Sequence, residues 1–162
     1  MRATSLNHVS ISSVDVEESV RFYTTVLGME RIDTYTFAFP TQYLRLGEQQ
    51  LHIFQREGTE APPFHHIALN VDDLEAAWIR ARELGVLDTT AFFSAIYELP
   101  DGTVQVYLRD PGGNLVELDW PDVTTLDREV FGEIPKLADA VPQTDEGKRA
   151  TLYLAQREAG SG

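Results

Sequence analysis

Apolar and polar positions alternate over residues 6–12, with Val9 and Ile11 on one face and His8, Ser10 and Ser12 on the other, which predicts a half-buried strand. From residue 15 the spacing turns helical. Val16, Val20, Tyr23 and Leu27 share a stripe, Asp15 stands as N-cap, and Gly28 ends the run. The same succession returns later: Ile67 and Leu69 alternate with His66, Ala68 and Asn70, then Leu74, Trp78, Ala81 and Leu84 form a stripe ended by Gly85. Three short strands are expected after each helix, near 30–37, 41–46 and 49–55, then near 90–98, 103–109 and 114–119. Pro100-Asp101-Gly102 and Asp110-Pro111-Gly112-Gly113 supply turns in the second set.

The chain therefore repeats itself. His8-Val9-Ser10-Ile11 recurs as His66-Ile67-Ala68-Leu69, and Tyr43-Leu44-Arg45 as Tyr107-Leu108-Arg109. The expected fold is α+β: two tandem βαβββ modules, 1–57 and 63–120, make a paired domain over 1–120 with a curved mixed sheet. Residues 56–64 are polar and aperiodic and read as the linker. Residues 121–162 read as a C-terminal arm with a helix near 145–158, its apolar content being Ala150, Leu152, Tyr153 and Leu154.

Composition narrows the chemistry. Thirteen Lys and Arg against 26 Asp and Glu leave a net charge of −13, which repels phosphate backbones and anionic membranes, so neither nucleic acid nor membrane is an expected partner. Cysteine is absent, which excludes disulfides, thiol nucleophiles and thiolate-held metals. Any metal must be held by His and carboxylates. With no signal-like segment in the opening residues, a cytoplasmic location is expected.

Strand parity selects the candidates for that site. If Val9, Ile11, Ile67 and Leu69 face the helices, His8 and His66 face the other way; if Leu51, Ile53, Val116 and Leu118 do likewise, His52 and Glu117 join them. Three of the four histidines thus fall on one face of a duplicated fold, while His65 points to the helix side. Two imidazoles and a carboxylate from separate strands form a facial triad suited to non-haem Fe(II), with Mn(II) or Zn(II) able to use similar sets. His8, His66 and Glu117 are the expected metal ligands. His52 is open between a fourth ligand, an acid–base group beside the metal, and a wall residue.

Asn7-His8-Val9, Phe22-Tyr23-Thr24-Thr25-Val26-Leu27-Gly28, His65-His66-Ile67-Ala68-Leu69 and Asp110-Pro111-Gly112-Gly113-Asn114-Leu115-Val116-Glu117-Leu118 resemble the motifs of the vicinal oxygen chelate superfamily over about residues 5–120. That group includes glyoxalase I, type I extradiol dioxygenases, methylmalonyl-CoA epimerase, fosfomycin-resistance transferases and bleomycin-resistance proteins. The resemblance implies paired modules around one divalent ion, with His8, His66 and Glu117 at the ligating positions.

Residues 106–117 look like the end of the extradiol signature, with Tyr107 before the ligand Glu117, although Glu98 stands where that family carries His. On this resemblance the expected function is an extradiol-type dioxygenase acting on a catechol-like diol, with His52 moving protons and Tyr107 hydrogen-bonding an oxygen of the substrate. Fe(II) or Mn(II) is the favoured metal, with Zn(II), Ni(II) or Co(II) possible. Tyr43, Arg45 and Arg109 are candidate substrate-pocket residues. The alternatives are a glyoxalase- or epimerase-type lyase or isomerase, and a small-molecule binding or resistance protein. A small-molecule substrate and a homodimer are expected.

Overall fold

Five elements occur in one order and then again: β1 (His8–Ser13), α1 (Val16–Val26), β2 (Glu30–Ile32), β3 (Thr41–Leu46) and β4 (Gln49–Gln55), then β5 (His66–Asn70), α2 (Leu74–Leu84), β6 (Ile96–Glu98), β7 (Val104–Arg109) and β8 (Leu115–Trp120). The computed structural model describes residues 2, 5–57, 61–92 and 94–153. Each set forms a four-stranded sheet, ordered β1-β4-β3-β2 and β5-β8-β7-β6. In the first, β1 runs parallel to β4, and β4, β3 and β2 follow as antiparallel neighbours. The repeated βαβββ architecture is thus present in both copies.

The helices begin and end where the sequence places them. Asp15 accepts from Glu18 N at 3.0 Å and Asp73 from Ala76 N at 2.9 Å, each capping an orphan amide of a first turn. Gly85, at φ 66°, takes the left-handed conformation that terminates α2. In α1 the buried residues are Val16, Ser19, Val20, Phe22 and Tyr23, and α1 packs on β3 and β4, where Leu44, Leu51 and Ile53 are fully buried. In α2 they are Leu74, Ala77, Trp78 and Ala81.

Several expectations give way. Leu84 is 45% exposed, because the buried stripe of α2 runs through Ala77 and Ala81 and leaves the last turn to solvent. The second and sixth strands shrink to three residues each, β2 and β6, and residues 33–40 form no strand despite aromatic residues at alternate positions. The helix expected over 145–158 is, in its described part, one 3₁₀ turn at Gly147–Arg149, with Gly147 a poor helix former and Ala150 already extended. Residues 154–158 lie outside the described residues.

The packing divides the chain differently from its repeat. One compact unit runs up to Ile67 and includes Leu108–Val116; the other comprises Ala68–Tyr107 and the chain from Glu117 onward. The turn 110–114 belongs to the first unit because it is wedged there. Tyr23 Oη donates to Asp110 Oδ2 at 2.9 Å, and Asn114 Nδ2 donates to Ser12 O at 2.8 Å. A Cβ on Gly112 would meet Ser12 O at 2.8 Å, so glycine permits this approach.

In the second unit the arm returns to its own module. Phe131 meets the Trp78 ring at 5.6 Å between centroids, and Glu75 accepts from Asp127 N at 2.7 Å. Beyond it, Glu98 N donates to Pro135 O at 2.8 Å, and Lys136 forms a bridge and a 3.4 Å ion pair with Glu98.

Candidate functional site

Register places His52 opposite both Ser10 on β1 and Tyr43 on β3, while His8 pairs with Gln50 one row away. Because these positions share a face, their rings meet. His8 and His52 stack with centroids 4.2 Å apart and 14° between planes; His52 and Tyr43 stack at 3.5 Å and 7°. His8 at the open end is exposed, whereas His52 and Tyr43 are each 7% exposed. Burial and the neighbouring His8 hold the His52 imidazole below its ordinary pKa. Arg45 is exposed and shares a row with Gln50 and Glu30.

The two histidines heading the repeats share a further detail. His8 Nδ1 lies 2.9 Å from Asn7 Oδ1 and His66 Nδ1 lies 2.9 Å from Phe64 O. An oxygen acceptor places a proton on Nδ1, so in the neutral form of each ring it is Nε2 that carries the lone pair. His52 is turned the other way, with Nε2 2.9 Å from Gln50 Oε1. His66 and His65 line a cavity of about 370 Å³ with Ser10, Ser12 and Asn114, so His65, expected on the helix side, borders the same cavity as His66.

Glu117 is 4% exposed, and its surroundings come from β6 and β7. Gln105 Nε2 donates to Glu117 Oε1 at 2.5 Å and reaches Asp119 Oδ1 at 3.3 Å. Tyr107 hydrogen-bonds Glu117 as well, and its hydroxyl lies 2.9 Å from that of Tyr97. Burial and the adjacent carboxylate push the Tyr107 phenol well above its usual range, so it stays protonated and donates.

Among the described residues, no group of three or more His, Asp and Glu side chains stands ready to hold a metal ion. The donor chemistry fits one all the same: two imidazoles with Nε2 as acceptor, and one carboxylate held by donors. Arg109, expected in a substrate pocket, donates to Gly113 O at 3.0 Å and Pro63 O at 3.1 Å and so ties two loops together. Sequence reasoning passed over Gln105 and Tyr97, which parity with Tyr107 and the register Tyr97↔Gln105 bring to Glu117. It also passed over Arg56, whose guanidinium lies 4.2 Å above the Phe39 ring and which follows His52 and Phe54 at two-residue steps.

The model of the Glyoxalase/Bleomycin resistance protein/Dioxygenase superfamily matches residues 5–118. The chain belongs to this superfamily. A Bacillus subtilis (strain 168) member of unassigned function, YwbC, is 30% identical over 124 residues, which are 71% of this chain and 96% of that protein. Lactoylglutathione lyase from Agrobacterium tumefaciens is similar in fold, with a TM-score of 0.57 at 21% identity over 73% of this chain and 94% of its own. The fosfomycin resistance protein FosX from Listeria monocytogenes, solved with Mn(II) and sulfate, gives 0.57 at 17% identity over 73% and 93%. Superfamily membership accounts for the doubled βαβββ unit, and these two structures share its fold.

Proposed function

We propose that this chain is a metal-dependent enzyme that acts on a small molecule bearing adjacent oxygens, with His8, His66 and Glu117 as the ligands of one divalent ion. The observation carrying this reading is the matched orientation of His8 and His66, each presenting Nε2 because its Nδ1 is bonded to an oxygen. Gln105 and Tyr107 hold the Glu117 carboxylate in its orientation through hydrogen bonds. A bound divalent ion supplies Lewis-acid polarisation of the substrate oxygens. His52, stacked on His8, is the group positioned to take or return a proton. The Mn(II) bound by FosX, a member of the same fold, makes Mn(II) a natural first metal to test.

The chemistry we favour is redox-neutral, of the lyase or isomerase kind. The dioxygenase reading gives the Tyr107 hydroxyl to the substrate, whereas that hydroxyl is 2.9 Å from Tyr97 and bonded to Glu117 inside a buried network. The decisive experiment combines metal analysis of anaerobically purified protein with two assays. Wild type should carry one equivalent of divalent metal, and His66→Ala and Glu117→Ala should lose most of it; full metal in either variant would remove that residue from the site. Deuterium should exchange from solvent into a carbonyl substrate without O₂. Oxygen uptake matched to substrate loss would return the function to the dioxygenase class.

A further inference from the structure

Five aromatic side chains gather on the face of the first sheet opposite α1. Tyr43 and Phe54 come from β3 and β4, while Tyr35, Phe37 and Phe39 lie on the connection between β2 and β3. Phe37 stacks on Phe39 at 5.7 Å and meets Phe54 edge-on at 5.8 Å; Phe54 in turn lies 6.2 Å from His52, and His52 stacks on His8. The aromatic surface is therefore continuous with the proposed ligand His8. It also grades outward, from Tyr43 at 7% exposed to Phe37 at 40% and Tyr35 at 79%. An exposed apolar surface of this extent marks a binding surface.

Charge says what kind of ligand. In a chain of net charge −13, Arg56 sits on the Phe39 ring with no carboxylate in ion-pair contact among the described residues. Its backbone is fixed by Arg56 N donating to Ser13 O at 2.8 Å. On the strand positions of this face the one acid is Glu30, which is paired in register with Arg45 at the far row. A guanidinium stacked on a ring keeps its edge donors for an oxyanion.

We propose that this face is a subsite for a planar aromatic anion: the aryl group lies against Phe37 and Tyr35 while Arg56 takes the carboxylate. The inference rests on the proposed site at His8 only for its consequence, that the substrate is an aryl-bearing acid whose reacting oxygens lie toward the imidazoles.

The test uses 2-naphthoate as probe, with 2-naphthamide and acetate as controls, titrated into metal-stripped full-length protein and followed by naphthyl fluorescence and calorimetry. Naphthoate should bind at least about tenfold more tightly than the amide, a factor in keeping with one charge-assisted hydrogen bond, and acetate should not bind measurably. Arg56→Gln should erase the difference between acid and amide, and Phe37→Ala should weaken both with the circular dichroism spectrum unchanged. His8→Ala should leave naphthoate binding intact while removing metal, which separates this inference from the metal assignment. Equal binding of acid and amide, or an unaltered Arg56→Gln profile, overturns the proposal. So does concentration-dependent dimerisation abolished by Phe37→Ala, which would assign the face to a second copy of the chain.

Discussion

The Tyr23 hydroxyl donates to a carboxylate 87 positions away, and both groups are buried, so the contact matters far more than its single hydrogen bond suggests. Burial raises the Asp110 pKa, while Tyr23 and Asn114 pull it back by stabilising the charged form. Tyr23→Phe should destabilise the chain by about 1–3 kcal/mol. The sign of its pH dependence follows. Without Tyr23 the folded-state pKa of Asp110 rises further, so stability present below the ordinary carboxylate range is lost as pH rises through the elevated value. Denaturation at pH 4 and pH 7 should show the larger loss at pH 7; an equal loss would mean that Asp110 does not titrate against this hydroxyl. His52 makes a second residue-scale test, since its Nε2 is bonded to Gln50. His52→Ala should keep its metal and lose turnover by about 10² to 10⁴. Metal loss alongside activity would make His52 a fourth ligand.

Among the elements, α2 shows both what periodicity reveals and what it hides. Leu74, Trp78 and Ala81 are buried as the stripe requires, but the indole Nε1 of Trp78 is buried with no hydrogen-bond partner among the described residues. Trp78→Ala should cost about 3–5 kcal/mol, and Trp78→Phe should cost much less because it also removes the unpaired donor. A denaturation midpoint unmoved by alanine would contradict this packing. Parity served β1 and β4 equally well, putting His8 and His52 in contact, because a period of two leaves no choice of face. It could not foresee the chain between β2 and β3, where alternating aromatics look like a strand yet pack on Phe54 and Tyr43 without ladder pairing. Nor could it foresee Arg109, whose use depends on where the linker passes, something no local pattern encodes. Gly112→Ala tests the wedge at this scale. The added methyl would collide with Ser12 O, and a loss of about 1–3 kcal/mol is expected in the unfolding midpoint.

At the scale of the molecule, the arm after Trp120 is an integral part of the second unit. It covers Trp78 through Phe131 and occupies the edge of β6 through Pro135 and Lys136. Removing residues 121–162 should expose an unpaired strand edge and an aromatic ring, and the truncated chain should aggregate in size-exclusion chromatography. Lys136→Ala alone should change little, because its partner ion pair is partly solvated. A truncated chain that stayed soluble with an unchanged midpoint would show the arm to be dispensable.

The wedge at residues 110–114 has a consequence for biosynthesis. A ribosome delivers β1 and α1 first, but the groups that satisfy Ser12 O and Tyr23 are 102 and 87 positions downstream. The first half of the chain must therefore emerge and wait, its nascent sheet lacking the turn that completes its packing, until almost the whole of the second repeat has been translated. Nascent chains arrested shortly before Asp110 leaves the exit tunnel should be readily cleaved by protease within α1, and those arrested well after Leu115 has emerged should resist. In this fold the order of synthesis and the order of completion are different.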